Sequence, residues 1–85
     1  MNLHALLRDL DKLDLELVLT VCDENRIRVR TANVPGFTYP HQAQASRGGI
    51  DGEACSAKRP RWAVMDALRC LAVAEDERRA EAQEA

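Results

Sequence analysis

The sequence predicts an α+β domain built as an N-terminal helix, a β-hairpin, a long loop and a C-terminal helix. Three observations carry that expectation. Leucines recur at helical spacing at the start of the chain, apolar and polar residues alternate from Leu13 to Arg30, and a second helical stripe opens at Pro60.

Leu3, Leu6, Leu7, Leu10 and Leu13 share one helical face, and Asn2 is available as N-cap, so the first helix is expected over residues 3–12. From Leu13 the period changes to two. Leu13, Leu15, Leu17, Leu19 and Val21 then face one side, with Asp14, Glu16, Val18, Thr20 and Cys22 on the other. A helix running on to Leu17 is the competing reading, but it leaves Leu15 and Leu19 off the apolar stripe. A three-residue loop, Asp23-Glu24-Asn25, with asparagine in the left-handed position, would return the chain into a strand where Ile27 and Val29 alternate with Arg26, Arg28 and Arg30. That register sets Cys22 against Arg26, Thr20 against Arg28 and Val18 against Arg30, with Glu16 on the diagonal from Arg30.

Residues 34–58 are rich in glycine, proline and small polar side chains and are expected to form a long loop, either functional or mobile. Pro35-Gly36 marks a turn and Pro40 stops whatever Phe37 to Tyr39 begin, which leaves room for a short edge segment at most. A helical turn near Asp51 to Ala57 is the other local expectation. Pro60 suits the first turn of the last helix, in which Trp62, Val64, Met65, Leu68, Leu71 and Ala72 form the buried stripe while Asp66, Arg69 and Glu75 face water. Glu75 and Arg79 are placed for an i,i+4 pair, and residues 76–85 read as an acidic helical tail that frays. Both helices are expected on the leucine-rich face of the hairpin, with residues 1–85 as a single domain.

Eighty-five residues give a small core, and thirteen of the hydrophobic residues are alanines while Phe37, Tyr39 and Trp62 are the aromatics. Homodimerisation therefore stays open. The net charge of -2 argues against a general affinity for nucleic acid, but the charge is segregated. Residues 1–25 hold two cations against six acids, residues 26–62 seven against two, and residues 63–85 three against six. A basic middle between acidic ends serves either internal pairing or an acidic partner. Arg8 and Asp9 interrupt any secretory pattern and no run is long enough to span a bilayer, so a cytoplasmic protein is expected. Cys22, Cys55 and Cys70 are odd in number and far apart, which fits three reduced thiols.

No metal, cofactor or catalytic signature emerges. No two cysteines share a chelating spacing, a Cys55–His41 pair lacks an orienting third group, and "RGGIDG" lacks both the preceding strand and the lysine of a phosphate loop. What remains is a basic surface. "KRPRW", Lys58 to Trp62, puts three cations at a helix start where an anion is welcome, and the arginine row faces out of the hairpin. The candidate partner-binding residues are Arg26, Arg28, Arg30, Phe37, Tyr39, Arg47, Lys58, Arg59 and Arg61. A non-enzymatic adaptor or inhibitor docking on a protein or nucleoprotein is the expected function. A nucleic-acid-binding regulator and a peptide-docking module of a larger assembly are the alternatives.

The run "LLRDLDKLDLELVLTVCDENRIRVR", Leu6 to Arg30, resembles the opening helix and hairpin of the TubC-type N-terminal docking domains of nonribosomal peptide synthetases. The resemblance implies that the hairpin edge receives a partner's terminal peptide and that Arg26, Arg28 and Arg30 dock it. It covers less than a third of the chain, and residues 34–58 depart from the compact helical part that family would have. The overall profile is similar to small accessory proteins of phages and other mobile elements, anti-CRISPR inhibitors among them.

Overall fold

The computed structural model describes residues 2–84. In chain order the elements are α1 (Leu3–Leu10), α2 (Leu15–Glu24), β1 (Arg28–Asn33), β2 (His41–Arg47), β3 (Ile50–Asp51), β4 (Cys55–Ala57) and α3 (Pro60–Glu84). The architecture is α+β, with helices at both ends of the described chain and an antiparallel sheet between them. The elements inside that frame differ from expectation in two places.

The first is residues 15–24, which form a helix and not the leading strand of a hairpin. Asp14 caps it, its carboxylate accepting the Leu17 amide at 3.0 Å, and Glu16 adds a favourable charge in the first turn. Val18 and Cys22, which strict alternation sends to the wet face, are instead the two residues α2 buries completely. Leu15, Val18, Leu19 and Cys22 stand at i, i+3, i+4 and i+7, so the run fits both periods, and the cap decides between them. The helix closes with the Arg26 amide donating to Asp23 O (3.1 Å) and the Ile27 amide to Cys22 O (2.9 Å), the double bond pattern of a Schellman end. The left-handed residue of that motif is Arg26, at φ 60°, and not Asn25.

The second is residues 34–58, which hold three strands where a long loop was expected. β1 pairs antiparallel with β2, from Arg28 opposite Ser46 to Asn33 opposite His41. On its other side β2 pairs with β3 and β4, so β2 is the centre of the sheet and β1 an edge. Gly48 and Gly49, at φ 57° and 79°, make the two-residue turn between β2 and β3; this is the strand that "RGG" was thought to lack. Asp51 to Ala57 is extended and interrupted, not a helical turn. The Gln44 side-chain amide donates to Gly52 O across the interruption at 3.0 Å.

Alternation along the strands sorts the sheet into two faces. Ala43, Ala45 and Ala57 are buried against α3, whose own contribution includes Ala63, Ala67 and Ala72. Small residues on both partners let helix and sheet approach closely, and Gly52 takes this furthest: a Cβ there would lie 2.6 Å from the Leu71 backbone nitrogen. Leu3, Leu6 and Leu10 of α1, Val18 of α2, Ile27, and Val64, Met65, Leu68 and Leu71 of α3 complete the core. α3 thus packs on the alanine-lined sheet and α1 packs on α3 and α2, where a leucine-rich hairpin face was expected to carry both.

α1 begins as expected, with the Asn2 side chain accepting the His4 amide at 2.8 Å, but ends at Leu10. Pro60 opens α3. Trp62, expected in the buried stripe, is 52% exposed. Glu75, expected in water, is held by Arg47, and the local pair near the end is Arg79 with Asp76 and not with Glu75. The tail read as fraying continues as helix to Glu84, and Asp76 to Gln83 are exposed along it.

Candidate docking surface

The edge of β1 is the one place where the sheet could still grow on the arginine side. Among the described residues no strand pairs with β1 opposite β2, so alternate backbone amides and carbonyls of Arg28 to Asn33 face outward without ladder partners. Two shallow grooves follow this edge. One is lined by Leu19, Cys22, Asp23, Arg26, Ile27, Arg28 and Val29; the other, which reaches across to β2 and α3, by Leu15, Leu19, Thr31, Asn33, His41, Gln42, Pro60 and Val64, among others. Leu19 belongs to both. Leu15 and Leu19 of α2 therefore lay an apolar floor beside the open edge, while Leu17, 48% exposed, lies on the other side of that helix.

Arg28 and Arg30 project from β1 onto the face of the sheet away from α3, in line with Ser46 and Gln44 of β2. That face has no helix over it and carries Gln42, Gln44, Ser46 and Ser56 beside the two arginines. Arg26 precedes them in the helix-end turn. All three arginines are exposed, and none forms an ion pair among the described residues.

The remaining candidates are divided by the fold. Arg47 points to the opposite face, where its Nε and Nη2 donate to both oxygens of Glu75 at 2.9 and 2.6 Å. That forked bond raises the Arg47 pKa further, and the pair is largely out of solvent. Arg61 donates to the carbonyls of Leu10, Asp11 and Leu13 where α1 stops, adding to the Leu13 amide on Leu10 O and serving the other two acceptors. Both guanidinium groups are thus committed within the molecule.

Phe37, Tyr39, Lys58 and Arg59 lie at the far end of the sheet from Arg28, around the β1–β2 loop and the start of α3. Phe37 is 67% and Tyr39 53% exposed. Tyr39 and Lys58 line a broad groove together with Arg61, Trp62, Asp66, Arg69 and Asp11. Arg59 sits over the Trp62 ring, 5.6 Å from its centroid. The nine expected residues therefore make two surfaces and two internal ties, not one patch.

Sequence reasoning did not identify Leu15, Leu17, Leu19 or Trp62 as surface residues. The signal was present in "LDLELVL", which contains more leucine than one helical face can bury.

Cys22 is buried, and burial pushes its thiol up to about 11. Cys55 and Cys70, distant in sequence, meet with their sulfurs 3.1 Å apart. Among the described residues there is no cluster of three or more His, Cys, Asp or Glu able to hold a metal, and no helix long and apolar enough to cross a membrane. Comparison with protein-family models, with curated proteins and with solved structures finds no match for this chain.

Proposed function

We propose that the chain is a non-enzymatic binding protein, an adaptor or inhibitor, that captures an extended acidic segment of a protein partner along the edge of β1. The observation that carries this reading is the edge itself: unpaired backbone, unpaired arginines and an apolar floor run side by side over the same six residues. A strand added there extends the sheet by main-chain hydrogen bonds. Its side chains alternate between Arg28 and Arg30 on one face and Leu15 and Leu19 on the other, so acidic and apolar residues in alternation are the matching sequence.

The small, charge-segregated profile and three reduced thiols fit a cytoplasmic accessory protein of a phage or other mobile element that acts by occupying a surface on its target. Phe37 and Tyr39 supply further anchors when the partner reaches the far end of the sheet. Direct nucleic-acid binding is the second reading, favoured by Tyr39 and Trp62 exposed beside Lys58 and Arg69, an arrangement able to stack bases. Asp11 and Asp66 in the same groove weigh against it.

The test is a titration of the purified chain against synthetic peptides in which acidic and apolar residues alternate, against the same peptides with lysine for each acid, and against duplex and single-stranded DNA and RNA. The expected result is selective binding of the acidic peptides, weakened about tenfold or more by Arg28→Glu with Arg30→Glu or by Leu19→Asp. Absence of peptide binding, with nucleic-acid binding that collapses by roughly 10³-fold or more between low and physiological salt, contradicts it. Light scattering on the free chain reports whether two β1 edges pair with each other instead.

A further inference from the structure

We propose that Cys55 and Cys70 are a modification site: a dithiol that closes into a reversible disulfide on reaction with small-molecule disulfides and staples β4 to α3. The inference is independent of the β1 docking reading, since β4 lies across β2 from β1.

Three features of the structure carry it. The two sulfurs are 3.1 Å apart without a bond, so closure to about 2.05 Å needs a small movement. The approach is built into the backbone, because Gly52, just before β4, lies against the helix at Cys70 and Leu71 with no room for a side chain. The site is also reachable: Cys70 lines a surface groove with Asp51, Glu53, Arg69, Val73 and Glu77, and both thiols are partly exposed. Cys22 shares none of these features, being sealed in the core.

The reaction proceeds by two exchanges. The Cys70 thiolate attacks one sulfur of the small disulfide, forming a mixed disulfide and expelling one small thiolate. Cys55 then gives up its proton and attacks Cys70 Sγ, expelling the second. Two electrons pass from the protein to the small disulfide, and the two protons end on the two small thiols released. Excess small thiol reverses both steps. In the free dithiol, burial, the neighbouring Cys70, and the carboxylates of Asp66 and Glu53 push the Cys55 thiol up to about 12. Burial and the two carboxylates still hold it up once Cys70 is in the mixed disulfide, so the closing step is slow at neutral pH and quickens as pH rises. Asp51, Glu53 and Glu77 against Arg69 leave the entry groove acidic, which favours a cationic disulfide over an anionic one.

The ring so closed contains Lys58, Arg59, Arg61 and Trp62, and therefore fixes the start of α3 against β4. Oxidation is expected to rigidify the Tyr39–Trp62 groove while leaving the β1 edge as it is.

The full chain is incubated with cystamine or with glutathione disulfide and followed by intact mass, by counting thiols after unfolding, and by thermal denaturation. The expected product is a monomer lighter by two hydrogens with one titratable thiol and a Tm raised on the order of 10 °C. It forms faster with cystamine than with glutathione disulfide. Cys22→Ala still closes, and Cys55→Ser stops at a mixed disulfide on Cys70. A wild-type chain that keeps three thiols, still holds the mixed disulfide after prolonged incubation at alkaline pH, or links Cys22 overturns the proposal, and these readouts on the wild type hold even where a variant fails to fold.

Discussion

The two sides of β2 are built to different ends. Toward β3 and β4 the groups that face α3 have partners on it: Arg47 forks onto Glu75, Cys55 meets Cys70, and Gly52 presses its backbone to Leu71, while Asp51 and Glu53 stay exposed. Toward β1 the arginines are unpaired, the strand edge is free, and Arg26 holds a left-handed backbone that glycine would take more easily. Charged residues occur on both sides, so composition does not separate them. What separates them is whether α3 crosses that side of the sheet. A side covered by α3 spends its polar groups on internal bonds, and the uncovered side keeps them for something outside.

The comparison breaks first where α3 and the sheet touch most closely. Gly52→Ala forces a methyl group into the Leu71 backbone and is expected to cost about 2–3 kcal/mol, read as a lowered midpoint in urea. Removing the internal arginine ties comes next. Arg61→Ala leaves the Asp11 and Leu13 carbonyls without their donor, and Glu75→Ala leaves Arg47 without its acceptor; each is expected to cost about 1–3 kcal/mol. By contrast, Arg28→Glu or Arg30→Glu changes stability by no more than about 0.5 kcal/mol, since neither side chain is engaged in the fold.

Alkaline pH sharpens the same contrast. Burial holds the Cys22 thiol at about 11 in the fold against 9.0 for the free group. A folded pKa above the unfolded one means that the contribution is fully present below about pH 9 and drains away as pH climbs towards 11. The loss is at most about 1.4 kcal/mol per pH unit. Cys22→Ala should make this limb of the stability curve shallower, leaving the part that Cys55, held up to about 12, contributes. The one stabilising change is at Arg26: Arg26→Gly relieves the left-handed backbone and gains up to about 1 kcal/mol, while removing one of the three outward arginines.

How far the sequence could be read follows from the same physics. α1 and α3 were legible because Asn2 and Pro60 are position-specific signals and the stripes they open fit one period only. Residues 13–22 fit two periods, and the error came from weighting alternation above Asp14, whose carboxylate caps a helix, and above Val18, which breaks the alternation. The strands after residue 40 were missed because Ala43, Ala45 and Ala57 are weak strand signals taken singly, and they are chosen here to let α3 come close. The Gly48-Gly49 pair was the local clue to that hairpin. Of the candidate surface, Arg26, Arg28 and Arg30 were legible from their spacing and Phe37 and Tyr39 from their loop. The engagement of Arg47 and Arg61 was not, because Glu75 and the carbonyls after α1 are brought to them only by the path of α3.

The central claim is that the β1 edge receives an extended partner, and amide hydrogen exchange tests it most directly. The chain is compared free and saturated with the tightest acidic peptide. The account predicts new protection confined to Arg28–Asn33 and to the α2 residues flanking Leu19, with Lys58 to Trp62 unchanged. Protection centred on Tyr39, Lys58 and Trp62, with β1 exchanging as before, would contradict it.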